Sequence, residues 1–201
     1  MIDFITFCDY TGTFAFAISG IRLASAKQFD WFGAYVVGVV TAVGGGTIRD
    51  ILLNATPFWM EHASYLIISA VALLFVIIFR KYVISLNNTF FIFDAIGLGL
   101  FGVVGIEKAL AFGFPMWVAV VMGTITGAFG GMIRDILINE VPLIFRKDIY
   151  AMACVFGGII YYACLQMGIG PSLTQLIAAT GIFVSRIVAV KYHISVPVLK
   201  G

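Results

Sequence analysis

Seven long apolar segments, separated by short polar connections, follow one another along the chain. A helix that crosses a bilayer needs about 20 mostly apolar residues, so each segment is predicted to be a membrane-spanning helix. The predicted spans are Phe4–Ala24, Trp31–Leu53, Ala63–Phe79, Thr89–Leu110, Pro115–Ile138, Ile149–Met167 and Ser172–Val190. Strands of a membrane barrel alternate apolar and polar residues, and these continuous runs do not. The predicted fold is an all-α integral membrane bundle that forms one membrane domain over residues 1–201.

The composition of the chain also indicates a membrane protein. Hydrophobic residues make up 62% of its 201 residues and charged residues 11%, and the mean hydropathy is +1.08. Soluble domains carry about 25% charged residues, so this chain has too few polar side chains to cover a soluble surface. The net charge of +2 comes without a basic run, and we expect no nucleic-acid partner.

The lysines and arginines predict how the bundle lies in the membrane. With seven spans the two termini lie on opposite sides, and two basic residues, Arg49 and Lys108, fall on the N-terminal side. Ten fall on the other side: Arg22, Lys27, Arg80, Lys81, Arg134, Arg146, Lys147, Arg186, Lys191 and Lys200. Basic residues near span ends favour the cytoplasm, so we expect the N-terminus outside and the C-terminus in the cytoplasm.

The chain contains an internal repeat with an offset of 85 residues. Residues 9–57 align with residues 94–142 without a gap, and 21 of these 49 positions are identical. The first repeat covers about 1–84 and the second about 85–168, while the seventh predicted span, at about 172–190, lies outside both. Because each repeat holds three spans, the second enters the membrane from the opposite side. Inverted repeats of this kind commonly place a substrate or ion site near the midplane.

The two repeats are most alike in the stretches GGGTIRDILLN, from Gly44, and FGGMIRDILIN, from Phe129. Glycine in a helix interior costs about 1 kcal/mol relative to alanine, so we expect these stretches to kink the second and fifth spans beside a polar pathway. Close packing of small residues is the alternative. The candidate kink and pore residues are Gly44, Gly45, Gly46, Phe129, Gly130 and Gly131, and the candidate polar lining is Thr41, Thr47, Thr124 and Thr126.

Both repeats also carry charges inside predicted spans: Asp9, Arg49 and Asp50 in the first, and Asp94, Arg134 and Asp135 in the second. An unpaired charge at the centre of a membrane helix costs about 2.5–3.5 kcal/mol. Matching depths predict two ion pairs, Asp9–Arg49 and Asp94–Arg134, with snorkelling of each arginine as the alternative. Adjacent helical residues do not face each other, so Asp50 and Asp135 are expected to face the opposite side or to cap a half-helix.

No pattern in the sequence indicates catalysis. The two histidines, His62 and His193, lie far apart, and the cysteines and histidines do not have metal-ligand spacing. The glycine stretch lacks the lysine that a phosphate-binding loop places after its last glycine. We therefore expect neither an enzyme nor a resident metal or cofactor.

With the repeat and both glycine stretches in view, the sequence resembles the bacterial branch of the trimeric intracellular cation channel family. That branch includes proteins described as glycine transporters, and the resemblance covers almost the whole chain. It implies a homotrimer with one pore per subunit, lined by the two kinked helices and permeable to potassium or sodium. It also implies a bacterial plasma (inner) membrane location. Animal members bind a phosphoinositide through a Lys-Glu-Val motif; here Lys108 keeps the lysine and is a candidate lipid contact.

Two functions remain open on the sequence. A channel would conduct along a continuous wetted path, with Tyr35, Phe129 and Tyr161 as candidate gates. A secondary transporter would bind a small zwitterion such as glycine at the midplane and alternate between the repeats. Helix N-termini after the glycine stretches would then hold its carboxylate. Inverted repeats fit both functions, and the family resemblance favours the channel.

Overall fold

The computed structural model describes residues 4–80, 89–146 and 149–197 of the chain. Its helices are α1 (Phe4–Ala26), α2 (Trp31–Leu52), α3 (Phe58–Glu61), α4 (Ser64–Ile78), α5 (Thr89–Ala111), α6 (Met116–Leu137), α7 (Ala151–Gln166) and α8 (Pro171–Lys191). A turn of 3-10 helix at Leu143–Phe145 lies between α6 and α7. The sequence did not predict α3 or this turn. The seven predicted segments match the other helices to within two residues at each end.

Five of these helices are long and apolar enough to cross a membrane: α1, α2, α5, α6 and α8. The two shorter apolar helices, α4 and α7, have 15 and 16 residues. At 1.5 Å per residue these two reach about 22–24 Å, less than the hydrocarbon core of about 30 Å. The prediction of an all-helical membrane bundle is confirmed, and the count of seven spans stays a prediction.

Four helices form the centre of the bundle. α1 packs against α2 and α5, and α6 packs against α2 and α5. α4 lies against α1 and α2, and α7, its counterpart in the second repeat, lies against α5 and α6. α8 has no counterpart in the first repeat and packs against α5 and α7. The two repeats are therefore in contact through their first two helices.

The contact between α1 and α5 occurs twice, and the two repeats exchange roles between the two occurrences. A methyl group added at Gly12 would lie 2.9 Å from Cε1 of Phe101, and one added at Gly97 would run into the ring of Phe16. Gly97 and Phe101 are the residues 85 positions after Gly12 and Phe16. The two phenylalanine rings meet edge to face, with centroids 5.2 Å apart. Such exchange is what a twofold relation between the two repeats produces.

The same exchange occurs where α2 crosses α6. A methyl group at Gly45 would run into the carbonyl oxygen of Thr126, and one at Gly130 would run into the carbonyl oxygen of Thr41. The two backbones therefore touch at this crossing, which only residues without a side chain allow. Small residues at membrane helix interfaces commonly serve this close approach.

The glycine stretches do not interrupt either helix. α2 continues through Gly44–Gly46, and α6 continues through Gly130 and Gly131. The helix N-termini that the transporter hypothesis places after the glycine stretches are therefore not present in α2 and α6. The missing side chains serve the crossing, and a kink at these residues stays a prediction.

The four candidate threonines donate their hydroxyls back to their own helices. Each bonds the carbonyl four residues earlier, with Thr41 to Val37 at 2.6 Å, Thr47 to Val43 at 2.7 Å, Thr124 to Val120 at 2.9 Å and Thr126 to Met122 at 2.6 Å. Bonds of this kind often bend helices slightly. The hydroxyl oxygens keep lone pairs, so they can still act as ligands.

Replacing Gly45 by alanine is expected to lower the free energy of unfolding by about 1–3 kcal/mol, the usual cost of overpacking. The reason is the collision with the Thr126 carbonyl, which the helix backbone cannot avoid. Gly44→Ala is the matched control, because its nearest neighbour would be the flexible Cδ1 of Ile133 at 3.1 Å. Unfolding by sodium dodecyl sulfate in mixed micelles measures both variants. Wild-type stability of Gly45→Ala would contradict the close crossing.

Candidate functional site

α2 and α6 end in the same way. At the end of each, an asparagine takes up the left-handed conformation, Asn54 with φ 55° and Asn139 with φ 56°. This conformation is a common helix terminator. The next N–H in the chain donates to the carbonyl of Asp50 in the first repeat and of Asp135 in the second, each at 2.8 Å. The chain is thereby turned back towards the helix it has just left.

These turns allow each aspartate to cap the next element. Oδ2 of Asp50 accepts the N–H of Phe58, the first residue of α3, at 3.0 Å. Oδ2 of Asp135 accepts the N–H of Leu143, the first residue of the 3-10 turn, also at 3.0 Å. The expected capping role is therefore found, although the capped element follows the glycine helix and is not half of it.

The other carboxylate oxygen of each aspartate bonds the preceding arginine. Nε of Arg49 donates to Oδ1 of Asp50 at 2.7 Å, and Nε of Arg134 donates to Oδ1 of Asp135 at 2.9 Å. The expectation that neighbouring residues cannot meet was wrong. Their Cβ atoms do lie about 100° apart around the helix, but the arginine side chain is long enough to reach sideways across that angle.

The first charge cluster consists of Asp9, Arg49, Asp50, Tyr65 and Lys108, contributed by α1, α2, α4 and α5. The hydroxyl of Tyr65 donates to Oδ2 of Asp9 at 2.6 Å. Nζ of Lys108 lies 2.9 Å from Oδ1 of Asp50, so the candidate lipid contact is engaged within the protein. Asp50 thus holds two cations, one from each repeat.

The predicted ion pair between Asp9 and Arg49 is not formed. Asp9 bonds Tyr65, and Arg49 has Asp50 as its partner at 2.7 Å. Both residues nevertheless line one narrow cavity, which is too small to admit a water molecule and is partly filled by Phe58. The guanidinium of Arg49 lies 5.6 Å from the centre of the Phe58 ring.

The second charge cluster consists of Ser19, Asp94, Arg134, Asp135 and Tyr150, contributed by α1, α5, α6 and the residue before α7. Here the predicted ion pair is formed, because Nη1 of Arg134 donates to Oδ1 of Asp94. The same nitrogen donates to Oγ of Ser19 at 2.9 Å. Arg134 and Asp94 are both 0% exposed. Snorkelling of the arginines is excluded in this structure, since Arg49 is also only 3% exposed.

The clusters lie at opposite ends of the α2–α6 crossing. Asp9 and Ser19 are ten residues apart on α1, which corresponds to about 15 Å along the helix. Beside the second cluster is a cavity of about 220 Å³ whose lining includes Arg134 and Asp135. Lys27, Glu140 and Arg146 also line it, towards the end of the bundle.

A surface ion pair crosses this cavity. Nζ of Lys27 donates to Oε1 of Glu140 at 2.7 Å, which lowers the pKa of the Glu140 carboxyl. Nη2 of Arg146 lies 3.5 Å from the other oxygen of Glu140. Exposed pairs of this kind contribute about 0–1 kcal/mol, so they do not hold the cavity closed strongly.

The remaining candidates occupy packed positions. Thr41 and Thr126 are buried at the helix crossings, and Thr47 accepts the indole N–H of Trp59 at 3.0 Å. The candidate gate Tyr35 donates to the carbonyl of Leu66 at 3.1 Å. Phe129 packs against the hydrophobic core. In the part of the chain that the structure describes, none of these five residues lines the two larger cavities, of about 270 and 220 Å³.

The candidate gate Tyr161 belongs to a buried contact between α5, α7 and α8. Its hydroxyl donates to Oε1 of Glu107, and Nε2 of Gln175 donates to the same oxygen at 2.6 Å. Near the other end of α8, Arg186 stacks on the ring of Tyr150 at 4.9 Å and donates to the carbonyl of Ile149 at 2.9 Å. These contacts attach α8 to the second repeat.

Sequence reasoning missed the tyrosines of both clusters. Tyr65 and Tyr150 are 85 residues apart, so they obey the repeat offset. They lie beyond the 49 positions over which the repeat was compared, in the less similar third helix. Extending the comparison beyond Pro57 at the same offset would have found them.

The fold and the two clusters define a helical membrane protein built from a repeated unit, with buried charges at both ends of a central crossing. The profile of a family described as Glycine transporter matches residues 6–81 and 91–166. These matches begin 85 residues apart, at the offset of the internal repeat.

Relatives of known sequence and structure agree with this class. The chain is 40% identical to a UPF0126 membrane protein of Vibrio cholerae, over 94% of this chain and 80% of that protein. It is 38% identical to the UPF0126 inner membrane protein YadS of Escherichia coli, over 94% and 93%. Its fold matches the trimeric intracellular cation channel orthologue from Rhodobacter sphaeroides with a TM-score of 0.88 and 34% identity, over 94% and 98%.

The chain belongs to the bacterial branch of the trimeric intracellular cation channel family, which the profile describes as glycine transporters. These relatives are channels and membrane proteins. The prediction that the chain is not an enzyme is therefore confirmed.

The two clusters are expected to differ in what their aspartates contribute to stability. Asp94→Asn leaves the buried Arg134 without one anionic partner, and breaking a buried pair costs about 3–5 kcal/mol. Asp9→Asn is the repeat-related control. It changes the acceptor of one hydrogen bond, which Tyr65 donates, and is expected to cost about 1 kcal/mol. Unfolding in mixed micelles gives both values. Equal losses would contradict the different pairing of the two aspartates.

Proposed function

We propose that this protein is a potassium-permeable cation channel with one pore per subunit, which passes between α2 and α6. The observation that carries the proposal is the pair of buried charge clusters at the two ends of the α2–α6 crossing. It is supported by 34% identity to a cation channel over almost the whole of both chains.

The chemistry of the crossing suits a dehydrated monovalent cation. Carbonyl oxygens can replace the hydration shell of potassium in a pore. The carbonyls of Thr41 and Thr126 lie at the crossing, and the carboxylates of Asp9 and Asp94 lie towards its ends. In the present structure α2 and α6 touch, so conduction requires the two helices to separate. The proposed role of the kinks at Gly44–Gly46 and Gly130–Gly131 is to allow that movement.

The names of the relatives support a proposed assembly and location. The Rhodobacter sphaeroides protein is named a trimeric channel, which supports a homotrimer here. The Escherichia coli relative is named an inner membrane protein, and we propose the bacterial inner membrane as the location. The distribution of lysine and arginine supports an outer N-terminus and a cytoplasmic C-terminus. The repeats then have inverted topology, which the exchanged contacts support.

Recording from the purified protein in a planar bilayer tests the channel directly. Under a potassium chloride gradient we expect discrete currents that reverse near the potassium equilibrium potential. Proteoliposomes from the same preparation are tested for saturable uptake of glycine, the substrate in the family description. Silent bilayers combined with saturable uptake would contradict the channel and establish a carrier.

Neutralising a cation at the wall of the 220 Å³ cavity tests whether ions pass through it. Arg146→Gln removes a positive charge there, so we expect roughly twofold higher potassium conductance at low salt, where the local potential concentrates cations. The increase should vanish near 1 M salt, where the Debye length is about 3 Å. Lys191→Gln, at the end of α8 and outside this cavity, is the matched control. Equal effects of both variants would place the pore elsewhere.

A further inference from the structure

The two clusters contain the same three groups in different pairings. Asp9, Arg49 and Tyr65 recur in the second repeat as Asp94, Arg134 and Tyr150. In the first cluster the aspartate bonds the tyrosine and leaves the arginine to its sequence neighbour. In the second cluster the aspartate bonds the arginine.

The tyrosine of the second cluster is buried without a hydrogen bond. Tyr150 is 1% exposed, and within the described ranges its hydroxyl and Oδ2 of Asp94 are buried atoms that have no hydrogen-bond partner. A buried hydroxyl left unpaired costs about 1–3 kcal/mol. The hydroxyl is directed at α6, since a methyl group at Gly131 would collide with it and would lie 3.4 Å from Nη2 of Arg134. Tyr150 therefore lies beside the arginine that holds Asp94.

We propose that Tyr65 and Tyr150 are the gating residues of the pathway. Each tyrosine competes with the arginine of its own repeat for one aspartate, and we call the two possible pairings settings. In this structure the aspartate of the first repeat bonds the tyrosine, and the aspartate of the second repeat bonds the arginine. In the reciprocal state, Asp9 pairs with Arg49 while Tyr150 donates to Asp94. This inference deepens the proposed channel function, on which it rests.

The geometry gives Arg49 a route to Asp9. Asp9 and Arg49 already line the same narrow cavity, with Phe58 beside them. Phe58 also meets the ring of Tyr65 edge to face at 4.4 Å. Withdrawal of Tyr65 would move Phe58 with it and clear the space between the two charges.

Contacts between the repeats couple the two settings. α1 carries Asp9 of the first cluster and also Ser19, which accepts from Arg134 in the second. α5 carries Asp94 of the second cluster and also Lys108, which pairs with Asp50 in the first. A shift of α1 along α5 therefore changes both clusters together.

The two settings differ in the space beside them. The tyrosine-bound aspartate faces a cavity too small for water, whereas the arginine-bound cluster adjoins a cavity of about 220 Å³. Exchange of the pairings would widen the narrow end of the pathway, which lies at the first cluster. Interconversion of the settings then sets the fraction of time that both ends admit an ion.

Removing each hydroxyl separates this proposal from a static role. Within the described ranges the hydroxyl of Tyr150 has no hydrogen-bond partner in the observed state, so Tyr150→Phe would leave the open probability of a protein with fixed pairings unchanged. The proposal predicts that Tyr150→Phe and Tyr65→Phe change the open probability in opposite directions, each about fivefold, the effect of one net hydrogen bond. The single-channel conductance should stay at its wild-type value. Tyr162→Phe, at an exposed position on the same α7, is the control.

A second measurement does not depend on conduction. In protein labelled with 3-fluorotyrosine, the fluorine resonance of Tyr150 is assigned by its loss in Tyr150→Phe. The proposal predicts that Tyr65→Phe shifts this resonance, and that Tyr150→Phe shifts the resonance of Tyr65, whereas Tyr162→Phe shifts neither. If one tyrosine variant fails to fold, the other still reports the coupling.

The two measurements distinguish failure of the gate from failure of the channel. If the resonances shift but the wild-type protein gives no current in bilayers, the coupling between the tyrosines is supported and the channel function is refuted. Wild-type currents with unchanged open probability in Tyr150→Phe, and no shift of its resonance in Tyr65→Phe, would overturn the gating proposal.

Discussion

A guanidinium that is removed from water must be neutralised where it lies, and this requirement organises both ends of the bundle. Arg134 is 0% exposed and Arg49 is 3% exposed, so neither reaches the lipid headgroups. Each is held first by the aspartate that follows it, and that aspartate also caps the next element. The left-handed asparagine makes this double use possible, because it brings the following N–H groups back to the carboxylate. The charge, the helix end and the turn therefore form one structural unit, which the chain uses twice.

The glycines determine how these two units face each other. Since α2 and α6 touch at Gly45 and Gly130, Arg134 at the end of α6 can reach Ser19 on α1 and Asp94 on α5. A larger residue at either glycine would move the helices apart and take Arg134 away from Ser19, 2.9 Å distant. The close crossing and the buried charges thus depend on each other, which explains why both occur in the same short stretch of sequence.

Much of the fold could be predicted because a membrane imposes length and polarity on every helix. The ends of α2 were predicted to within one residue, and matching depths in the membrane correctly paired Asp94 with Arg134. The function of the glycines could not be decided in the same way. Glycine in a helix is compatible both with a kink and with close packing against a neighbouring helix. The position of the Thr126 carbonyl beside Gly45 distinguishes these two roles. The partner of Asp9 was also missed, because Tyr65 comes from a third helix whose sequence has diverged between the repeats.

The two charge clusters come from similar repeats but have different ion pairs and hydrogen bonds. The cause must therefore lie in residues that differ between the two repeats or lie outside them. α8 is one such element, and it packs against α5 and α7 of the second repeat. Its Arg186 stacks on the ring of Tyr150 and bonds the carbonyl of Ile149, which holds the tyrosine through its ring and leaves its hydroxyl unpaired. Lys108 is another residue that the repeats do not share, because its repeat counterpart is Leu23. Its ammonium adds a second cation to Asp50, whereas within the described ranges Asp135 pairs with one cation, Arg134. These residues distinguish the surroundings of the two clusters, in which Asp9 bonds Tyr65 and Asp94 bonds Arg134.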